Sequence, residues 1–208
     1  MNNKAILVPT DFSEACRNAV KHGAALSKIT GNPLVVFHVI NNESSLFFKK
    51  AAGDENAEGR LKEVQDFVRT EYGIEIATKF RKGSIFREIP RFAKEIDAAF
   101  MILGTRGKAG IQKLIGNQAM RIVEKSPIPT LVVQKRVFGS GYENIVFPVN
   151  IDIEFGQKVY WSVYFARYFN SKVHVFVFRE DNPELEAKIN NVVRQITEAF
   201  EQAEIPVS

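Results

Sequence analysis

The chain has 208 residues, of which 45% are hydrophobic and 25% charged, and its formal net charge is +4. This composition is enough for one large core or one domain with a smaller partner, and the scattered positive charge does not favour nucleic-acid binding. No apolar run approaches the roughly 18 residues that cross a membrane, and no signal-peptide pattern opens the chain, so we expect a cytoplasmic protein without a membrane partner.

Strand and helix patterns alternate along the first 134 residues. The first strand, Ala5 to Val8, is a short apolar run that Pro9 closes, and Ser13 then caps a helix that ends at Gly31. Residues 41–53 are polar and are predicted as a loop, with a helix start as the alternative. The other elements are strands at 34–40, 74–80, 98–103 and 129–134 and helices at 57–72, after Ser84 and at about 117–125. This alternation predicts a parallel sheet with right-handed crossovers and helices on both faces.

The chain then begins a second time. Residues 144–178 lie over residues 5–39 without a gap and repeat the strand, helix and strand. One more helical stretch, Pro183 to Ala203, follows, and the chain ends where the first copy would enter its third strand. We therefore predict a first domain at 1–137, a linker at 138–142 and an incomplete second domain at 143–208, whether the second copy is naturally short or cut.

Two stretches fall where open α/β sheets bind ligands, at the carboxyl ends of the first and fourth strands. One is Pro9-Thr10-Asp11, and the other is the glycine-rich loop from Gly104 to Asn117. Glycines let backbone amides approach a phosphate, and Arg106 or Lys108 can neutralise its charge. The loop matches neither the Walker nor the dinucleotide pattern, so turns that need glycine explain it equally well.

Three separated motifs agree in order and spacing with one family. ILVPTDFSE at the start, FHV at the end of the second strand, and G-x-x-G…G-N before a helix and P-x-x-V-V together resemble a universal stress protein over residues 4–135. Residues 143–208 are similar to the first half of another such domain. The resemblance implies an α/β fold with an open parallel five-stranded sheet of order 3-2-1-4-5.

The resemblance also implies a site for ATP, with Mg, between the first loop and the glycine loop. As in the nucleotide-binding branch of the family, Asp11 would take the ribose, and Pro9, Thr10 and Val39 would surround the adenine and ribose. The phosphates would be lined by Gly104, Arg106, Gly107, Gly116 and Asn117. The nucleotide-binding residues would be Pro9, Thr10, Asp11, Val39, Leu103, Gly104, Arg106, Gly107, Gly116 and Asn117. Two departures stand out: eight residues, not nine, separate Gly107 from Gly116, and Asn117 replaces the usual Ser or Thr.

No enzyme or metal constellation is predicted. His22, His38 and His174 are too dispersed for a triad or a metal site, and Cys16 lies in a helical pattern typical of a buried side chain. We expect a stress-response protein that binds a nucleotide as a regulatory ligand. The alternatives are a signalling or scaffold module without nucleotide and a slow ATPase, for which no general base is evident.

The expected partners are a second copy of the chain and proteins that the sequence does not identify. The resemblance implies that the fifth strands of two domains pair. Because the second copy ends before its own fifth strand, residues 130–134 would present an open apolar edge. The second copy's first helix, Phe155 to Phe169, is aromatic most of the way round, which indicates burial on more than one side. Either surface could form a homodimer.

Overall fold

The computed structural model describes residues 4–40, 56–105, 117–139, 141–149, 155–178 and 181–208. The chain divides into two compact units, residues 1–138 and 139–208. Among the helices in these described ranges, none is both long enough and apolar enough to cross a bilayer.

The first unit is built on one parallel sheet with the strand order β3-β2-β1-β4-β5. The strands are β1 (Ile6–Thr10), β2 (Leu34–Ile40), β3 (Ala77–Lys82), β4 (Phe100–Gly104) and β5 (Thr130–Val133), and the helices are α1 (Glu14–Thr30), α2 (Ala57–Tyr72), α3 (Ile85–Glu95) and α4 (Asn117–Lys125). Helices α1 and α2 contact each other, as do α3 and α4, which gives one helical layer on each face. The predicted fold class, an α/β protein with an open parallel sheet of order 3-2-1-4-5, is confirmed.

Local signals explain where α1 begins and ends. The Ser13 hydroxyl accepts a hydrogen bond from the Cys16 N–H at 3.4 Å, which caps the first turn. At the other end Gly31 adopts φ 74°, and its N–H reaches the Ser27 carbonyl. Between these caps Gly23 lies against the sheet, where its missing side chain lets the helix approach the strands closely.

Several strand boundaries differ from the prediction, and those of β1 and β3 show why. Strand β1 continues through Pro9 to Thr10, because both residues still pair with β2. Strand β3 begins at Ala77 instead of Ile74 and ends at Lys82, because its hydrogen bonds run only where β2 lies alongside it, from Val35↔Ala77 onward. The apolar pattern begins at Ile74, three residues before the first residue that pairs with β2.

The second unit repeats the order strand, helix, strand, helix. Strands β6 (Asn144–Val149) and β7 (Lys172–Val177) are parallel, and α5 (Gly156–Phe169) connects them. Helix α6 (Pro183–Gln202) follows, and the last residues run beside β7 through the bridge Val173↔Val207. Residues 150–154, between β6 and α5, lie outside the described residues.

Pro148 in β6 stands where Pro9 stands in β1. The Lys172 N–H bonds the Glu143 carbonyl, so odd-numbered residues of β6 face β7. Successive residues of a parallel strand turn their backbone groups to opposite sides, and the nitrogen of Pro148 therefore faces away from β7.

One face of the second unit's sheet is packed and the other is exposed. Phe147 and Val173 pack with Ile196 and Phe200 of α6 in a buried core. On the opposite face three large apolar side chains remain exposed, namely Val146 at 65%, Phe176 at 51% and Phe178 at 65%.

Helix α5 is not enclosed by a thick local core, and its expected burial against another domain or chain stays a prediction. Ala166 is its one buried residue among those described, and Tyr160 and Tyr168 are 50% and 41% exposed. The rings pack against one another instead: the ring centroids of Tyr164 and Tyr168 lie 5.0 Å apart. Aromatic side chains next to one another on a helix can thus cover each other without entering a core.

We predict that Gly23→Ala destabilises the protein although alanine is the better helix former. A Cβ at residue 23 would lie 2.8 Å from Val8 Cγ2 and 3.0 Å from Leu34 Cδ1. Overpacking of this kind costs about 1–3 kcal/mol, against a propensity gain of about 1 kcal/mol, so the free energy of unfolding should fall by about 1 kcal/mol.

Chemical denaturation measures the effect, and Gly156→Ala is the matched control. A Cβ at residue 156 meets nothing within 4 Å, so that variant should stay within about 0.5 kcal/mol of the parent. A stabilised Gly23→Ala variant would contradict the close packing of α1 on the sheet.

Candidate functional site

A cleft of about 440 Å³ opens at the carboxyl ends of the central strands. Its floor is formed by the ends of β1, β2 and β4, and its walls come from the start of α1 and from α3 and α4. The lining residues are Pro9, Thr10, Asp11, Ser13, Ala15, Cys16, Phe37, Val39, Ile85, Ile89, Leu103, Gly104, Thr105, Gln118, Ala119 and Ile122.

The cleft opens where β1 and β4 stop pairing. Their ladder contains Ile6↔Phe100 and Leu7↔Met101 and goes no further. The Ile6 N–H bonds the Pro33 carbonyl on the β2 side, so even-numbered residues of β1 face β2 and odd-numbered ones face β4. The backbone nitrogen of Pro9 therefore faces β4, and it has no hydrogen to donate. Without that donor the ladder ends, and the space between the two strand ends remains open.

The turn between β1 and α1 is held by its own side chains. Thr10 Oγ1 accepts from the Phe12 N–H at 2.9 Å, and Asp11 Oδ1 accepts from the Ser13 N–H at 2.8 Å. Phe12 adopts φ 64°, a conformation that costs a bulky residue energy. These two hydrogen bonds stabilise the strained turn and set the direction of the Asp11 side chain at the rim of the cleft.

Behind the turn three side chains pack together. The ring centroids of Phe12 and His38 are 4.6 Å apart, and the Arg60 guanidinium carbon lies 4.1 Å from the Phe12 centroid. His38 Nδ1 is 2.8 Å from the Thr10 carbonyl oxygen. His38 is therefore a buried, hydrogen-bonded residue that supports the turn, and it does not line the cleft.

Gly104 is required by the packing of β4 against α1. A Cβ at this position would lie 2.3 Å from the Ala15 carbonyl oxygen and 2.9 Å from the Cys16 nitrogen. Both are backbone atoms, which cannot move aside as a side chain can. Any other residue would push the first turn of α1 away from the sheet and change the shape of the cleft between them.

On the other side of β4 the cleft is bounded by Thr105 and α4. The Thr105 N–H bonds the Val133 carbonyl at 2.9 Å, which holds the residue beside β5. Its hydroxyl is buried and makes no hydrogen bond. Such an atom carries an uncompensated desolvation cost.

The predicted site residues fall into two groups. Arg106, Gly107 and Gly116 lie outside the described residues, and Asn117 begins α4 with a side chain that is not described. The structure brings together at one cleft Pro9, Thr10, Asp11, Val39, Leu103 and Gly104.

Sequence reasoning missed the contributions of α3, α4 and Thr105. Ile85, Ile89 and Ile122 were visible as apolar positions of helices, but only the packing of α3 on α4 directs them to the cleft. Nothing in the sequence marked Thr105 as a residue of the cleft except its position directly after the fourth strand.

The remaining histidines have structural partners. His22 Nε2 is 3.0 Å from the Arg136 carbonyl oxygen, and burial lowers the pKa of the ring. His174 Nε2 is 2.9 Å from Asn144 Oδ1 in the second unit. No group of three or more His, Cys, Asp or Glu side chains that could hold a metal ion occurs in the ranges that the structure describes.

Cys16 is the titratable group of the cleft whose pKa changes most clearly. Burial, and then the nearby Asp11 carboxylate, raise the pKa of the thiol to about 11 from an ordinary value of 9.0. The thiol therefore stays protonated at neutral pH and gives this side of the cleft an uncharged wall.

Comparison with known proteins gives a consistent result. A family model described as the universal stress protein family matches residues 2–134. Universal stress protein MJ0531 of Methanocaldococcus jannaschii is 29% identical over 141 residues, which cover 64% of this chain and 82% of the relative. Universal stress protein G of Escherichia coli O157:H7 is 26% identical over 141 residues, covering 63% of this chain and 99% of the relative.

Solved structures show the same fold. A universal stress protein from Archaeoglobus fulgidus superposes with a TM-score of 0.79 at 19% identity, covering 100% of this chain and 77% of that one. A universal stress protein solved in complex with cAMP superposes with a TM-score of 0.51 at 18% identity, covering 64% of this chain and 98% of that one.

We predict that Cys16 reacts slowly with thiol reagents in the folded protein. Raising the pKa from 9.0 to about 11 lowers the thiolate fraction on the order of a hundredfold, and burial restricts access further. Labelling of the native chain at about pH 8 should therefore be at least a hundredfold slower than labelling in concentrated guanidinium chloride. Because the chain has one cysteine, the signal is unambiguous, and similar rates in the two states would contradict the assignment.

Proposed function

Because the chain belongs to the universal stress protein family, we propose that its first domain, residues 1–137, binds ATP or a related nucleotide as a regulatory ligand in a stress response. The observation that carries the proposal is the cleft at the point where the strand order reverses, between β1 and β4. Open α/β sheets bind their ligands in this crevice.

One part of the cleft is apolar and another is polar, which matches the base and the ribose of a nucleotide. Val39, Leu103 and Ile89 make an apolar surface against which a planar base can lie. Asp11 and Thr10 stand at the end of β1, where a carboxylate and a hydroxyl can accept hydrogen bonds from ribose. The volume of about 440 Å³ falls within the range of about 300–1,000 Å³ that small-molecule sites occupy.

The phosphate end is assigned to the start of α4. The first N–H groups of a helix lack partners within the helix, and the helix dipole favours negative charge there. Gln118 and Ala119 of this turn line the cleft. Magnesium would enter as the complex with ATP, with phosphate oxygens as its main ligands.

The likeness to the protein solved with cAMP is one of fold, and it widens the class of ligands to be tested. Cyclic AMP shares the adenine and ribose of ATP and carries one phosphate. We therefore propose adenine nucleotides as a class, with ATP as the first ligand to test.

We further propose that the domain binds nucleotide without turning it over. His38 and His22 each hold one ring nitrogen against a backbone carbonyl, and neither residue lines the cleft, so neither is placed to act as a general base there.

A scaffold module without nucleotide is the second candidate. The observation that favours it is the glycine loop, which has eight residues between Gly107 and Gly116 instead of nine. The family pattern has nine, and a loop with one residue fewer would hold a phosphate less well.

We expect calorimetric titration of the full chain with Mg-ATP to show binding that Ala119→Phe abolishes. Ala119 lines the cleft, and a phenyl ring there would occupy the space that the nucleotide needs. Met120→Phe is the matched control, because Met120 is 43% exposed and does not line the cleft.

The affinity of Ala119→Phe should fall more than tenfold, that of Met120→Phe should change less than about twofold, and the ATP should be recovered intact. Absence of binding by the parent chain would favour the scaffold function. Release of ADP would favour the ATPase.

We also propose a homodimer and expect light scattering to report twice the chain mass of 23.5 kDa. Strand β5 pairs with β4, and in the described part of the chain no strand lies on its other side. The Thr105 N–H donates a hydrogen bond to the Val133 carbonyl, so the backbone groups of odd-numbered β5 residues face β4. The Val132 N–H therefore points outward.

Val132→Pro removes this outward donor and leaves the ladder with β4 intact, so it should yield monomers if the edge is the interface. Tyr160→Ser tests the aromatic helix α5 in the same way. A parent chain with the mass of a monomer would refute the dimer.

A further inference from the structure

We propose that the hydroxyl of Thr105 is a phosphate-binding group of the cleft. The inference rests on the proposed nucleotide function and adds a residue to it. Thr105 is 5% exposed and lines the cleft, and its Oγ1 has no hydrogen-bond partner.

A buried hydroxyl without a partner is uncommon in a folded protein. The large majority of buried side-chain polar atoms are paired, and an unpaired one costs about 1–3 kcal/mol. Threonine has an apolar isostere, valine, which would fill the same space without that cost. A ligand that accepts a hydrogen bond from the hydroxyl explains both the polar atom and its place at the wall of a cleft.

The position of Thr105 selects the part of the ligand. Gly104 faces Ala15 of α1, so the alternation along the strand turns Leu103 and Thr105 to the other face, on which α4 packs. Thr105 thus shares its side of the cleft with Gln118, in the first turn of α4.

Helix α4 has nine residues, and its N-terminal end favours an anion. The neutral hydroxyl donates one hydrogen bond, and a phosphate oxygen is the acceptor that suits both the hydroxyl and the helix end. The sugar and base would lie toward Asp11 and Val39, across the cleft.

The experiment compares ATP, AMP and adenosine binding to the full chain and to Thr105→Val, Thr105→Ser and Thr130→Val. Thr130 is the matched control, because its hydroxyl is also buried without a partner but the residue does not line the cleft. Each variant is also melted without ligand.

We expect Thr105→Val to bind ATP and AMP at least tenfold more weakly than the parent, and adenosine within about twofold. Thr105→Ser keeps the hydroxyl and should stay within about threefold for all three ligands. Thr130→Val should bind like the parent. Without ligand, neither valine variant should melt at a lower temperature, since each loses an unsatisfied polar atom.

Three results would overturn the inference. Parental affinity for ATP in Thr105→Val would show that the hydroxyl makes no contact. Equal losses for ATP, AMP and adenosine, together with a lower melting temperature, would show that Thr105 only maintains the fold. A parent chain that binds none of the three ligands would overturn the proposed function itself, and this inference with it.

Discussion

The cleft depends on one hydrogen bond that cannot form. Pro9 faces β4 without a hydrogen to donate, so the β1–β4 ladder ends after Leu7↔Met101 while β1 stays paired with β2 up to Thr10. The chain then turns through the strained Phe12 into α1, whose first turn lies against Gly104. The opening between the strand ends begins at this interruption at the centre of the sheet, while the hydrogen bonds of the turn direct Asp11 and Gly104 lets α1 lie close.

Gly104 shows how one residue can satisfy two requirements. From the sequence alone, a tight turn and a contact with phosphate explain a glycine at position 104 equally well. The close approach to the Ala15 carbonyl is a third reason and a sufficient one for glycine by itself. The same approach brings the start of α1 to the mouth of the cleft, so the packing of the domain and the shape of the site cannot be varied independently here.

The fold could be predicted from the sequence because its signals are local. Apolar runs, the Ser13 cap and the Gly31 exit mark the elements of the first unit, and a parallel sheet follows from their alternation. The turn between β1 and α1 at Asp11 could be placed for the same reason. Features that depend on contacts between distant residues could not be predicted. The register of β3, the mutual packing of the α5 rings and the role of Thr105 belong to this class, because each is decided by a neighbour far along the chain.

Pro148 has a consequence for the behaviour of the protein at high concentration. Its nitrogen faces the side of β6 away from β7, so an incoming strand would meet a gap in the row of donors at that position. Val146 and Phe176 are exposed on the sheet nearby and would otherwise make this edge a template for cross-β stacking. A proline at the edge is a means by which natural sheets resist aggregation. The residue type that ends the β1–β4 ladder in the first unit thus leaves one position without a donor on the outer side of β6 in the second.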